Sequence, residues 1–187
     1  MKENRFKRVL REGKAPVGHM IMEFATRGIA KILEAADLDF VVIDMEHTGF
    51  DAERVADVIA WLKATDIAPF VRVPQPLYHF MARTMDAGAL GIMVGNVETP
   101  EQAKSIVNAV KYAPLGSRGV GLGTAHNDYL MPDPVKYMQW ANENSTVICQ
   151  IESPVGLANL DDRMLIVMNM EALMNNAELG MVAASLG

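Results

Sequence analysis

Short apolar runs alternate along the chain with stretches in which apolar residues return every three or four positions. The runs at 15–25, 40–44, 68–74, 90–97 and 146–152 predict five strands, and the segments between them predict helices. The stretch 27–37 places Ile29, Ile32 and Leu33 on one side of a helix. A second helix over 51–64 opens on Asp51 as N-cap and lines up Val55, Val58, Ile59 and Leu62 as its buried stripe. Pro76 opens a third helix that Gly88 ends, and Thr99 caps a fourth with Pro100 at its first helical position. A long glycine-rich loop and a helix over 133–144 lead into the fifth strand. The opening segment "MKENRFKRVLREGK" reads as a helix with a charged outer face and Phe6, Val9 and Leu10 turned inward.

Strand and helix alternating at this spacing imply an α/β fold with a parallel sheet and right-handed crossovers. Runs such as "FVVI" and "IMV" lack polar alternation, as expected where both faces of a sheet are covered. Two architectures satisfy this pattern, an open doubly wound sheet and a (β/α)8 barrel. No repeat, low-complexity tract or linker divides the chain, so residues 1–187 are expected to form a single domain.

Composition narrows the possible functions. The 187 residues are 50% hydrophobic and 21% charged, as in an ordinary globular domain, and their net charge of −6 argues against a nucleic-acid surface, which needs clustered positive charge. The opening is too charged for a secretory signal and no run of 18 apolar residues occurs, so a cytoplasmic protein without a membrane partner is expected. Cys149 is the sole cysteine, which rules out an internal disulfide; in the apolar run "TVICQIE" it reads as a buried, inert thiol.

The polar exceptions fall at strand ends. Asp44, Glu46 and His47 end the second strand, Arg72 lies near the end of the third, Asn96 follows the fourth, and Gln150 and Glu152 end the fifth. Each alone has a structural reading: a satisfied histidine, a buried salt bridge, a helix cap. In a parallel sheet, however, all these termini share one rim, where ligands bind in barrels and open sheets alike. The set suits a particular chemistry. Glu152 can hold a divalent metal that polarises the carbonyl of a 2-oxo acid. Arg72 can stabilise the enolate oxygen formed as a neighbouring carbon–carbon bond breaks. His47, oriented by Asp44 or Asp86, can move protons. His19 and His79 read as structural or exposed, and His126 lies in the long loop, a lid or interface element.

The segments "FVVIDMEH", "PFVRVP", "MDAGALGIMV", "YAPLGSRGVG" and "CQIESPVGLANLD" occur in the order and spacing of the HpcH/HpaI family of class II 2-oxo-acid aldolases, and the resemblance runs from about residue 5 to 162. It implies a (β/α)8 TIM barrel that cleaves 4-hydroxy-2-oxo acids to pyruvate and an aldehyde, or joins them, with Mg, Mn or Co as cofactor. By the same resemblance His47 is the acid–base histidine, with Asp44 its carboxylate neighbour and Asp86 an aspartate supporting it. Arg72 contacts the pyruvate oxygen, Gln150 lines the substrate pocket, and Glu152 is a metal ligand. Arg118, in a loop near the site mouth, fixes that loop or reads the substrate. The partners implied are a small 2-oxo acid and an aldehyde, together with further copies of the chain in a homo-oligomer.

The chain departs from the family pattern after "LANLDD". A (β/α)8 barrel takes about 250 residues. No sixth strand ending in a Gly-Pro-x-Asp-Leu-like turn, which would carry the second metal ligand, and no seventh βα unit is evident, so a segment is expected to be missing near 162–163. Asp161 and Asp162 read as pointing away from the rim, and 163–187 as the barrel's last strand, "MLIVM", with a Met-rich helix. Two other functions stay open: a superfamily lyase acting on an acyl-thioester or oxaloacetate, and, favoured by the missing metal ligand, a non-catalytic truncated paralogue that acts in assembly.

Overall fold

The computed structural model of the chain describes residues 2–160 and the strand 166–168. Six strands alternate with helices: β1 Gly18–Ile21, β2 Phe40–Asp44, β3 Ala68–Val73, β4 Gly91–Val94, β5 Thr146–Ile151 and β6 Ile166–Met168. The helices are α1 Arg5–Arg11, α2 Ile29–Ala35, α3 Ala52–Leu62, α4 Tyr78–Asp86, α5 Pro100–Val110, α6 Pro134–Asn144 and α7 Pro154–Ala158. Every strand pairs parallel to the one before it, in the order β1 to β6. This order decides between the two architectures: a doubly wound sheet reverses direction at a switch point, whereas a barrel adds each strand beside its predecessor. Among the described residues β1 and β6 are the sheet's edges, so the barrel is an arc rather than a closed ring.

Both faces of the arc are covered, which explains the unbroken apolar runs. On the outer face Val41, Ile43, Val71, Val73, Ile92 and Val94 pack with Val55, Val58, Ile59 and Leu62 of α3 and with residues of α4 and α5. On the inner face Val42, Ala68, Phe70, Met93 and Ile148 form a second cluster closed by Phe6. Local signals act as expected at the helix starts. The Asp51 side chain accepts from Arg54 N at 2.8 Å, and Thr99 and Gln102 form a reciprocal capping box. Gly88, with φ of +109°, turns the chain out of α4.

Two helix faces differ from the sequence pattern. In α2 the buried residues are Ala30 and Leu33, and Ile32 is 65% exposed. Each residue turns a helix by about 100°, so with Leu33 facing the sheet its neighbour Ile32 cannot. In α1 Phe6 is buried, but Leu10 is exposed.

The amino-terminal mouth of the arc is plugged. The Phe6 ring lies 5.0 Å from that of Phe40 and 5.1 Å from that of Phe70, and Phe40 and Phe70 are 5.5 Å apart. Two glycines make room for these rings: a Cβ on Gly18 would lie 2.5 Å from Phe40, and one on Gly91 2.7 Å from Phe70. Buried Asn4 fastens α1 across the mouth, its Nδ2 donating to the Asn144 carbonyl at 2.7 Å and the Leu90 carbonyl at 3.1 Å. Arg5 Nε adds an ion pair to Asp39 at 2.7 Å.

β6 is not placed as a last strand closing the ring. It lies beside β5 as the sixth strand, with Cys149, Gln150 and Ile151 opposite Ile166, Val167 and Met168. Asp161, Asp162, the expected break near 162–163 and the expected Met-rich helix lie outside the described residues. No helix among the described residues is long and apolar enough to cross a membrane. Phe6→Ala is expected to cost about 3–5 kcal/mol by unplugging the aromatic cluster. Thr99→Ala, which removes one cap, should cost about 1 kcal/mol. Urea unfolding of the two variants checks this ordering.

Candidate active site

The inner-face alternation carries polar residues to the carboxyl ends of the strands. Asp44 follows Phe40 and Val42, Arg72 follows Ala68 and Phe70, Gly95 follows Gly91 and Met93, and Gln150 and Glu152 follow Ile148. Asp44 and Arg72 are also register partners on β2 and β3. Their side chains therefore meet: Arg72 Nε donates to Asp44 Oδ1 at 2.8 Å and Nη2 to Oδ2 at 2.7 Å. The side chains are 9% and 0% exposed, respectively. A two-pronged buried pair of this kind fixes the guanidinium plane.

Burial alone would raise the Asp44 carboxyl. Hydrogen bonds from Arg72 and from the backbone N–H groups of Glu46 and His47, with the Arg72 charge, outweigh it and hold the carboxyl below its ordinary value. The Asp44 hydrogen bond holds Arg72 above its ordinary value against burial, helped by the charges of Asp44, Glu46 and Glu152. Arg72 Nη1 makes no hydrogen bond among the described residues.

Glu46, two residues beyond Asp44, turns back to the same arginine. Its Oε2 lies 3.4 Å from Arg72 Nε and 3.7 Å from His47 Nε2. His47 itself is 64% exposed at the rim. Across the mouth, Glu152 Oε2 accepts from Asn96 N at 3.0 Å. Gln150 is buried and its Oε1 has no partner among the described residues. Cys149 alternates with it onto the outer face, where burial raises its thiol, as expected of an inert core cysteine.

The structure thus brings together Asp44, His47, Arg72, Gln150 and Glu152 of the expected site, and adds Glu46. That residue was detectable from its i, i+2 relation to Asp44 at a strand end. Two expected members lie elsewhere. Asp86 is the last residue of α4, and a helix following a strand runs back toward the amino rim, so its carboxylate cannot support His47 of the same chain. It accepts instead from Arg118 Nη2. Asp44, whose two carboxylate oxygens accept from Arg72, reaches His47 through the His47 backbone N–H rather than through its imidazole.

Arg118, only 3% exposed, stacks on Tyr112 at 4.6 Å and lines a small cavity with Leu90 and Ser145, which precede β4 and β5. It is therefore part of the amino end and not of the site mouth. His126 and its loop are at that end too. Lys63, just past α3, donates to Asp128 Oδ1 at 2.6 Å, and Thr124 Oγ1 lies 2.7 Å from His126 Nδ1. Burial, then the Arg118 charge, lowers the His126 pKa. His79 is exposed against Phe80 at 4.4 Å, and His19 is exposed rather than core because β1 is an edge strand.

A parallel β/α arc with its ionisable groups gathered at the carboxyl ends of the strands has the layout of a barrel enzyme, in which chemistry sits at that face. The family model described as HpcH/HpaI aldolase/citrate lyase matches residues 20–182, and the chain belongs to this family. It is 35% identical over 161 residues to a hydroxypyruvate/pyruvate aldolase of Deinococcus radiodurans, covering 85% of this chain and 57% of the relative. To a 5-keto-4-deoxy-D-glucarate aldolase of Salmonella paratyphi A it is 33% identical over 159 residues, with 84% and 60% covered. The chain therefore spans about three fifths of the length of these curated relatives. Among solved structures, an HpcH/HpaI aldolase from Desulfitobacterium hafniense superposes with a TM-score of 0.84 at 26% identity, over 92% of this chain and 69% of that one.

Asp44→Asn leaves Arg72 buried without its charge partner and is expected to destabilise the chain by about 3–5 kcal/mol at neutral pH. Because the folded carboxyl titrates below its unfolded value of about 3.9, its contribution is complete above that pH. It disappears as pH falls through the lowered folded value. The gap between wild type and variant in urea unfolding should accordingly stay constant from about pH 5 to 8 and narrow below about pH 4.

Proposed function

We propose that this chain carries the pyruvate-enolate chemistry of a divalent-metal-dependent aldolase, one that cleaves 4-hydroxy-2-oxo acids to pyruvate and an aldehyde and runs the addition in reverse. The observation that carries this reading is the arginine at the barrel rim: Arg72 is locked by Asp44 through Nε and Nη2, its Nη1 bonds to none of the described residues, and carboxylates stand beside it. The relatives' names point to the same reaction class, since both curated relatives are aldolases.

The donor set fits Mg, Mn or Co. Among the described residues no three His, Cys, Asp or Glu side chains are grouped to hold a metal. Hard cations such as Mg2+, however, commonly bind through one or two carboxylates together with water and substrate oxygens. Glu152 supplies a carboxylate at the rim, and the buried, unpartnered Gln150 Oε1 offers a neutral oxygen from the same strand face. Three carboxylates, Asp44, Glu46 and Glu152, act on the single Arg72 charge, which leaves an excess of two negative charges for a divalent cation to offset. When bound, the cation polarises the 2-oxo carbonyl as a Lewis acid.

The protein's own groups supply the remaining steps. A base at the rim takes the proton of the 4-hydroxyl, the C3–C4 electron pair moves into the pyruvate fragment, and the aldehyde leaves. His47, open to the rim, is placed to take that proton directly or through a water and to return one to C3. Arg72, held in one plane, directs Nη1 to the oxygen that gains charge, without reorganising during the step. The small acid and aldehyde reach such a rim from solvent. Exposed Leu115, Val120, Tyr129, Leu130 and Met131 in the long loop agree with assembly of the chain into a homo-oligomer.

Deuterium uptake into the methyl group of pyruvate in heavy water, followed by mass spectrometry, tests the reading without knowledge of the aldehyde. Exchange is expected with Mg2+, Mn2+ or Co2+ and not after EDTA. It should fall by about a hundredfold or more in His47→Ala and Arg72→Ala. A folded protein that shows no exchange with any of these metals overturns the reading.

A further inference from the structure

One position at the rim is shaped for something other than backbone geometry. Gly95, just past β4, does not have a positive φ, so an L side chain could take its conformation. The space above it is what a side chain would lose. A Cβ there would lie 3.2 Å from Glu152 Oε2, 3.2 Å from Glu46 Oε1 and 3.3 Å from Glu46 Oε2. Two carboxylates from different strands therefore converge on one point, and their nearest oxygens are separated by at most twice that distance.

Two facing carboxylates repel unless a positive charge offsets them. Arg72 does so only in part, because its Nε and Nη2 are committed to Asp44, and Glu46 stands further off at 3.4 Å. A second, independent feature on the strand face that carries Glu152 also calls for a ligand. Gln150 is 8% exposed, lies on the same inner face, and its Oε1 is buried with no hydrogen-bond partner among the described residues. A buried acceptor is rarely left without a donor or an ion.

We propose that Glu46 is an oxygen donor to the divalent-cation site, opposite Glu152, and that Gly95 is the gap that lets the two carboxylates face each other. The inference rests on the metal-dependent reading above and adds residues that the family resemblance did not supply. With metal–oxygen distances of about 2.0–2.6 Å, this pair would hold a cation directly or through one water. The side chain of Glu46, 17% exposed, then joins the cation, Arg72 and His47 in one contact chain.

The test uses Mn2+ alone. The chain is titrated with Mn2+ and the free ion is followed by electron paramagnetic resonance, with no substrate present. Wild type is expected to bind, and Glu46→Gln, Glu152→Gln and Gly95→Ala each to weaken Mn2+ by about tenfold or more. The metal-free thermal midpoint of Gly95→Ala should stay near that of wild type, which separates a filled gap from a damaged fold. Equal Mn2+ affinity in Glu46→Gln and wild type overturns the inference and leaves the aldolase reading standing, as does wild type that exchanges pyruvate protons without binding Mn2+ in this titration. Binding that depends on Glu46 and Gly95 in a protein that exchanges no pyruvate protons supports the inference and removes the aldolase reading.

Discussion

The cross-strand pair of Asp44 and Arg72 is the constraint from which the rim is built. Two neighbouring parallel strands place a carboxylate and a guanidinium at the same level on the inner face. The interior is too dry to accept either charge alone. Each residue makes the other tolerable, and together they fix a cationic plane at the end of an otherwise apolar barrel. Glu46, His47 and Glu152 are arranged around that plane, so their positions follow from register as much as from their own packing.

The rest of the fold keeps that register. Outer-face aliphatic residues seat α3, α4 and α5 on the sheet, while the inner face is filled by a few large side chains and carries Asp44 and Arg72 at the carboxyl ends. The division matches a general property of such barrels, in which one end holds stability and the other chemistry. Here the amino end carries Phe6, Asn4 and the Arg118–Asp86 pair.

Much of this was legible in the amino-acid sequence. Apolar runs and capping residues marked the strands and helices, and the rule that parallel strands share one rim collected Asp44, Arg72, Gln150 and Glu152 before any coordinates. The misplacements have identifiable causes. Asp86 and Arg118 were assigned by motif, and a motif does not state which end of a helix a residue occupies; counting to the last turn of α4 would have placed Asp86 at the amino end. Ile32 was grouped by spacing with Ile29, although a seven-residue helix shows only part of a turn to the sheet and the spacing does not fix its rotation. The path of the loop over 112–133 had no periodic signal, because it is held by scattered hydrogen bonds to Lys63, Tyr78 and Asp86 rather than by a packed stripe. Glu46 was visible in "DMEH" but was eclipsed by its titratable neighbours. The role of Gly95 required knowledge of what lies above it.

The aromatic plug also has a kinetic side. With Phe6, Phe40 and Phe70 meeting across the amino mouth, that end of the arc is stopped. A molecule that settles deep beside Gln150 and Arg72 cannot leave past these rings, and at the carboxyl end it shares its route with whatever binds above it. Along that route traffic is last in, first out, and a second ligand bound above acts as a stopper for the deeper one.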